Sequence, residues 1–118
     1  MAVRIKRVYE APATADGERI LVDRIWPRGL SRKDASLDRW MKDVAPSTEL
    51  RKWFDHRVDR WEEFQDRYQK ELSCNSALGE LRGLVSSQDV TLLYAARDHD
   101  HNHAIILMRK VEAAADGA

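Results

Sequence analysis

Hydrophobic and polar residues alternate in two segments near the start of the chain. Residues 3–8 alternate with a period of two, and residues 18–25 form a second strand-like run that leads into the sequence WPRG. A period of two is typical of β-strands, because successive side chains point to opposite faces of a sheet. The pattern predicts two strands, and the second ends before Pro27, which cannot donate to a β-ladder.

Hydrophobic residues then recur at the spacing of a helix. Ser31 is suited to cap a short helix that ends near Leu37, and Ser47 is suited to cap a second helix directly after Pro46. Residues 38–44 lie between these two helices. They are either a third strand or an extension of the first helix.

Two more amphipathic segments follow. An apolar stripe over residues 58–72, opposite a charged face, predicts a helix that lies on a core. Asn75 or Ser76 then caps another helix, which contains Gly79 and Gly83. Because glycine weakens a helix, we expect close packing against a neighbouring element to explain these two residues.

The most hydrophobic strand candidate is residues 90–96. This run is apolar on both faces, which suits a central parallel strand covered on both sides. A final helix is expected over residues 102–115, although the apolar run 104–108 could also form a strand. Together these elements predict the α/β class. We expect a single three-layer domain over residues 1–118, with a small, mostly parallel sheet, helices on both faces and a frayed tail at 112–118.

The composition excludes several classes of protein. The 118 residues fit one domain, and 20 basic residues balance 20 acidic ones, so no global basic field favours nucleic acid as a partner. No apolar run approaches the roughly 20 residues of a membrane helix, and the first residues lack the apolar region of a signal peptide. We therefore expect a cytoplasmic protein without a membrane partner. The single cysteine, Cys74, is expected to be a bystander, and the oligomeric state stays open.

The first candidate for a functional loop follows the second predicted strand. Residues 23–29 offer a carboxylate at Asp23, guanidinium groups at Arg24 and Arg28, and an indole at Trp26. Ligands of open α/β sheets bind beyond the carboxyl ends of the strands, and arginine can hold an anion through two hydrogen bonds. A structural role is an equal alternative, in which an Asp–Arg pair fixes the turn and Trp26 anchors the core.

The second candidate loop, residues 98–103, contains three of the four histidines. If the last helix begins inside it, with Asp100 or Asn102 as its cap, its unpaired N–H groups form an anion site. A histidine near a helix N-terminus is expected to be neutral, and His103 is the favoured ligand-binding or catalytic residue. A solvated turn is an equal alternative. We expect no metal ion and no cofactor, because histidines at alternate positions of a loop converge poorly on one point.

Three segments of the chain resemble the YeaO-like branch of the domain-of-unknown-function 488 family. They read GERILVDRIWPRGLS, VAPSTELRKWF and TLLYAARDHDHNHA, and the similarity extends from about Val8 to about Val111. The resemblance implies a compact three-layer α/β domain. It also implies that Asp23 and Arg24 lie near an Asp-x-Arg motif at the end of a strand.

The resemblance also bears on the second loop. Asn102, His103 and Ala104 fall where the larger family has Cys, His and Arg, so only the histidine matches. The resemblance therefore implies a fold and the position of a site, and it supplies no activity.

Two functional hypotheses follow from the two loops. In the first, the protein binds a small anionic ligand in a crevice between the loops and acts as a hydrolase or transferase. Its catalytic residues would be His103 with Asp23 or Asp98, and its ligand-binding residues Arg24, Trp26, Arg28 and Asn102. In the second, it is a non-catalytic binding or regulatory module that uses the surface around Arg51, Trp53, Arg57 and Arg60. An enzyme requires Asp23, Arg28 and His103 to converge on an open pocket.

Overall fold

A four-stranded parallel sheet forms the centre of the domain, in the order β1-β4-β2-β3. The computed structural model describes residues 2–117, with side chains described for residues 2–113. Strand β1 spans Val3–Arg7, β2 Glu18–Leu21, β3 Arg39–Trp40 and β4 Val90–Tyr94. The all-parallel sheet and its helices confirm the predicted α/β class.

Strand β4 lies between β1 and β2, and all five of its residues are buried. Leu92 pairs in register with Ile5 on one side and Ile20 on the other. Its side chain belongs to the main core, whereas Leu93 and Leu21 belong to a smaller core. Because neighbouring residues of a strand point to opposite faces, these two cores lie on opposite faces of the sheet. The predicted buried central strand is confirmed, and it ends two residues earlier than expected.

Helices cover the two faces unequally. The single-turn helix α1, Arg32–Ala35, contributes Ala35 to the smaller core, which loops complete. The main core receives side chains from four helices, which are α2 (Thr48–Phe54), α3 (Trp61–Ser73), α4 (Ala77–Ser87) and α5 (His103–Gly117). None of the helices within residues 2–117 is long and apolar enough to cross a membrane.

Serine side chains cap the first two helices, as predicted. Ser31 Oγ accepts a hydrogen bond from the Asp34 N–H at 3.0 Å, and Ser47 Oγ accepts one from the Leu50 N–H at 3.1 Å. Each bond satisfies one of the N–H groups that the first turn of a helix leaves without a partner.

The second strand and the segment before α2 differ from the predictions. Strand β2 ends at Leu21 rather than near residue 25, so Asp23 and Arg24 lie in the loop beyond it. Residues 38–44 contain a strand, as one alternative proposed, but β3 has only two residues and a 3-10 turn follows at Lys42–Val44.

The last two helices settle two further points. Residues 104–108 lie within α5, so the helical alternative is correct for this run. A Cβ atom at Gly79 or Gly83 of α4 would meet nothing within 4 Å, so the expected close packing there is wrong. The predicted frayed tail at 112–118 lies mostly outside the residues whose side chains are described.

A buried carboxylate joins β1 to the start of β2. Asp16 is 6% exposed and forms ion pairs with Lys6 and with Arg19, which is 5% exposed. Its Oδ2 also accepts a hydrogen bond from the Ala13 N–H at 3.0 Å. Burial alone would raise the pKa of Asp16, but these hydrogen bonds outweigh burial and hold the pKa below its ordinary value of 3.8.

We expect Asp16→Asn to make the stability of the domain less sensitive to acid. A carboxylate whose pKa is lowered by folding stabilises the folded state above its unfolded pKa, and that contribution is lost as the pH falls through the folded pKa. Urea unfolding at several values between about pH 5 and pH 2 should give a shallower loss of stability in Asp16→Asn than in the wild type. Asp66→Asn, at an exposed position, is the control and should keep the wild-type slope.

Candidate functional site

A cavity of about 640 Å³ opens at the carboxyl edge of the sheet. Its walls are the loop after β2 (residues 23–28), the end of α2 with the following turn (residues 51–56), and the connection from β4 to α5. Phe54 and Phe64, whose rings stack with centroids 4.3 Å apart, also line it. The two candidate loops therefore contribute to one cavity, as their positions after parallel strands predicted.

Two arginine side chains fix the walls of this cavity. Arg24 donates hydrogen bonds to the carbonyl oxygens of residues 45–46, at 3.1 and 3.0 Å. Arg7 donates to the carbonyl oxygens of residues 95–96, at 3.1 and 2.9 Å. Each guanidinium thus holds two consecutive carbonyl groups, which need partners when they are removed from water. Arg24, which the sequence predicted to bind ligand, is engaged in holding a wall.

Asp23 connects the ends of three strands to the start of α5. Its Oδ2 accepts a hydrogen bond from the Ala95 N–H at 3.1 Å, and its backbone carbonyl accepts one from Trp40 Nε1 at 2.7 Å. Its Oδ1 lies 3.2 Å from His103 Nε2. This buried Oδ1 accepts no hydrogen bond from the described residues, although it lies near His103.

His103 is the first residue of α5 and lines the cavity. Its Nε2 lies 2.9 Å from the Val22 carbonyl oxygen, in addition to the Asp23 contact. Both oxygens are acceptors, so Nε2 carries a proton, and in the neutral ring the lone pair resides on Nδ1. The ring meets Tyr68 edge-on with centroids 6.2 Å apart. His103 is therefore held in one tautomer and one orientation.

Asn102 closes the loop that precedes His103. Its side chain is buried at 2% exposure, its Nδ2 donates to the Asp98 carbonyl at 3.0 Å, and its Oδ1 accepts from the Ile105 N–H at 3.3 Å. Of the two predicted caps, Asn102 is the one that caps α5. Both polar atoms of its amide thus form hydrogen bonds within the protein, although the residue also lines the cavity.

The rest of the histidine-rich loop is held by separate contacts. His99 Nδ1 lies 3.1 Å from the Tyr94 hydroxyl, and His101 Nδ1 lies 3.0 Å from Asp98 Oδ2. Backbone hydrogen bonds from residues 100 and 101, together with the His101 side chain, hold the pKa of Asp98 below its ordinary value. Asp98 does not line the cavity.

The three histidines of this loop therefore do not share a ligand position. Within residues 2–113, no group of three or more His, Cys, Asp or Glu side chains is arranged to hold a metal ion.

The lining of the cavity is cationic. Four of the lining side chains are arginine or lysine, and only two are carboxylates, those of Asp23 and Asp55. Arg28, Arg51 and Lys52 are exposed, and they form no ion pair with any carboxylate of the described residues. Helix α5 also begins here, and the N-terminal end of a helix carries a partial positive charge. These groups give the cavity a positive potential.

A strained turn leads the chain out of α2 along the cavity. Asp55 and His56 both adopt left-handed backbone conformations, with φ of 49° and 55°. The Asp55 N–H donates to the Arg51 carbonyl at 3.1 Å, and the Arg57 N–H donates to the Phe54 carbonyl at 2.9 Å. Such conformations cost about 1–2 kcal/mol per residue, so the helix end and the packing of Phe54 hold the turn in place.

The residues of the second hypothesis, Arg51, Trp53, Arg57 and Arg60, do not form one common surface in the structure. Arg57 pairs with Asp59, and Arg60 donates to the backbone carbonyl of Trp53. The guanidinium groups of Arg60 and Arg67 lie over the Trp53 ring, at 5.2 and 4.4 Å from its centroid. These charged and aromatic groups therefore contact one another. Of the four residues of the second hypothesis, only Arg51 lines the cavity.

The fold and the cavity define a class of protein, which is a small α/β domain with a parallel sheet and a cationic cavity at its carboxyl edge. The family DUF488-N3i, described as "Inactive DUF488-N3 subclade", matches residues 2–117. The chain belongs to this family, which confirms the resemblance inferred from its loop motifs.

Similar chains occur in at least two bacteria. The chain is 49% identical over 105 residues to "Uncharacterized protein Rv3073c" of Mycobacterium tuberculosis, and the similarity covers 89% of both chains. It is 44% identical over 108 residues to "Uncharacterized protein YeaO" of Escherichia coli strain K12, covering 91% of this chain and 94% of the relative. No solved structure matches the chain.

Proposed function

We propose that this domain binds a small anionic ligand in the cavity and holds it without converting it chemically. The observation that carries the proposal is the set of three exposed cations, Arg28, Arg51 and Lys52, which line one cavity without carboxylate partners among the described residues. Cations in such a position attract anions and can form charge-assisted hydrogen bonds with them.

The residues around His103 favour binding over catalysis. Where the larger family is expected to have a cysteine, this chain has Asn102, whose amide forms hydrogen bonds with the Asp98 carbonyl and the Ile105 N–H. Where the larger family is expected to have an arginine, this chain has Ala104, which is fully buried. An amide engaged in this way is not a nucleophile, since nucleophilic catalysis needs a hydroxyl, thiol, amine or carboxylate that a base can activate. The family description "Inactive" agrees with this interpretation.

Arg51→Gln and Lys52→Gln should each weaken the binding of inorganic phosphate about ten-fold, because each removes a charged donor from the cavity. Isothermal titration calorimetry at low salt measures the Kd, since salt screens exposed charges. Arg109→Gln is the matched control, because Arg109 is exposed on α5 and does not line the cavity. An unchanged Kd in both cavity variants, or no phosphate binding by the wild type, would contradict the proposal.

A hydrolase is the second candidate function, and the fixed tautomer of His103 favours it. With Nε2 protonated beside Asp23 and Val22, Nδ1 is the nitrogen able to accept a proton from the water that attacks a bound substrate. The two functions separate with p-nitrophenyl phosphate. A binding protein leaves this compound intact, whereas a hydrolase using His103 releases p-nitrophenolate and loses that activity in His103→Gln.

A further inference from the structure

We propose that the ligand is amphipathic, with a flat apolar group attached to its anionic group, and that Tyr9 and Ile25 contact the apolar part. This inference rests on the proposed function and names the chemical class of the ligand. It starts from where exposed hydrophobic side chains occur. Three large ones are strongly exposed in the described part of the chain, and two of them, Tyr9 and Ile25, line the cavity.

Ile25 contributes nothing to either hydrophobic core. The residue is 56% exposed, and it lies in the loop after β2 beside Trp26, which packs with the smaller core. Isolated exposed hydrophobic residues are ordinary. Tyr9 and Ile25, however, line the same cavity as the cations without carboxylate partners. A ligand that covers these two side chains removes apolar surface from water, which favours its binding.

Tyr9 is exposed and yet firmly held. Its hydroxyl donates to the Arg28 carbonyl at 2.8 Å, and the Arg7 guanidinium lies 4.8 Å from its ring centroid. Arg7 is itself fixed by the carbonyl groups of residues 95–96. Tyr9 is 42% exposed despite these contacts. A ring that is already immobilised loses little freedom on binding, so it can serve as a stacking surface for a flat group.

The hydrogen bond from Tyr9 also joins the two halves of the site. It holds the backbone of Arg28, one of the three cations proposed to bind the anion. The Tyr9 ring and the backbone of Arg28 are therefore fixed relative to each other. Arg51 and Lys52 lie on the wall formed by α2, whereas Ile25 lies on the wall formed by the loop after β2. A ligand that spans these walls presents its anionic group to Arg51 and Lys52 and its flat group to Ile25.

The test compares phenyl phosphate with inorganic phosphate, which differ by the ring. The measured quantity is the ratio of their Kd values, since this ratio cancels indirect effects on the phosphate site. We expect wild-type protein to bind phenyl phosphate about ten-fold more tightly. Ile25→Ser and Tyr9→Leu should each reduce this ratio at least three-fold, and Tyr9→Phe should largely keep it. Val58→Ser, at an exposed hydrophobic residue outside the cavity, is the control and should leave it unchanged.

Each outcome has a distinct meaning. If phosphate binds but phenyl phosphate binds no more tightly, the ligand class is wrong and the proposed anion site stands. If neither compound binds, both proposals are overturned. A large ratio that survives both Ile25→Ser and Tyr9→Leu would place the ring elsewhere and would also overturn the inference. Ile25 is exposed and outside both cores, so loss of folding in Tyr9→Leu would leave Ile25→Ser as the deciding variant.

Discussion

Gly17→Ala is expected to destabilise the domain by about 3 kcal/mol or more. Gly17 has a φ of 63° and a ψ of −138°, in a region that other residues rarely adopt. A Cβ atom on this backbone would lie 2.3 Å from the carbonyl oxygen of Asp89. That oxygen accepts a hydrogen bond from the Glu18 N–H at 2.9 Å, where β2 begins to pair with β4. The clash cannot be relieved without breaking this pairing.

Equilibrium unfolding in urea measures the effect of Gly17→Ala. The matched control is Gly79→Ala, because Gly79 lies in α4 with no atom within 4 Å of its would-be Cβ. Alanine is the better helix former, so the control should gain about 0.5–1 kcal/mol. A Gly17→Ala variant as stable as the wild type would show that the backbones of Gly17 and Asp89 are not in close contact.

Leu92→Ala is expected to cost about 2–5 kcal/mol, as other large-to-small changes in packed cores do. Leu92 has no exposed surface, and it lies in the strand that both β1 and β2 use as their partner. Its removal leaves a cavity between the sheet and the helices of the main core, and the flanking strands prevent the backbone from collapsing into it. The loss should appear as a lower urea midpoint with an unchanged slope.

Val58→Ala is the control for Leu92→Ala, because it also removes methyl groups, but from a side chain that is 54% exposed. Its stability should stay within about 0.5 kcal/mol of the wild type. Equal losses in the two variants would mean that β4 is not the buried centre of the sheet.

The hydrophobic pattern predicted the elements better than it predicted their limits. The apolar run 90–96 correctly predicts a buried central strand, since a run of that length fits few other environments, but the strand spans only Val90–Tyr94. Strand β2 was predicted to reach residue 25 and stops at Leu21. The alternation continues past Leu21, but the Asp23 side chain accepts the Ala95 N–H and Arg24 reaches the carbonyl groups of residues 45–46. These contacts join distant parts of the chain, so no local pattern announces them.

Part of the candidate site can be predicted from the sequence, because it follows from the order of the predicted strands. Asp23, Arg28 and His103 follow predicted strands, and parallel strands bring their carboxyl ends together. The sequence does not distinguish Lys52 as a site residue, and it predicts Arg51 on another surface. Both lie on α2, where a cation that faces a cavity and a cation that faces solvent occupy equivalent positions in the helical repeat. Only the path of the chain after Pro46 distinguishes them.

The place of β4 in the sheet also determines when this protein can fold during its synthesis. Val90 pairs with Val3 on one side and with Glu18 on the other, although β4 leaves the ribosome after the three other strands of the sheet. Until then, β1 and β2 lack the strand that lies between them, and α3 and α4 have no completed sheet to cover. Pairing between such distant segments is slow because the intervening chain must be ordered first. The nascent chain therefore emerges with its apolar surfaces uncovered, and the native core forms only after β4 has been synthesised.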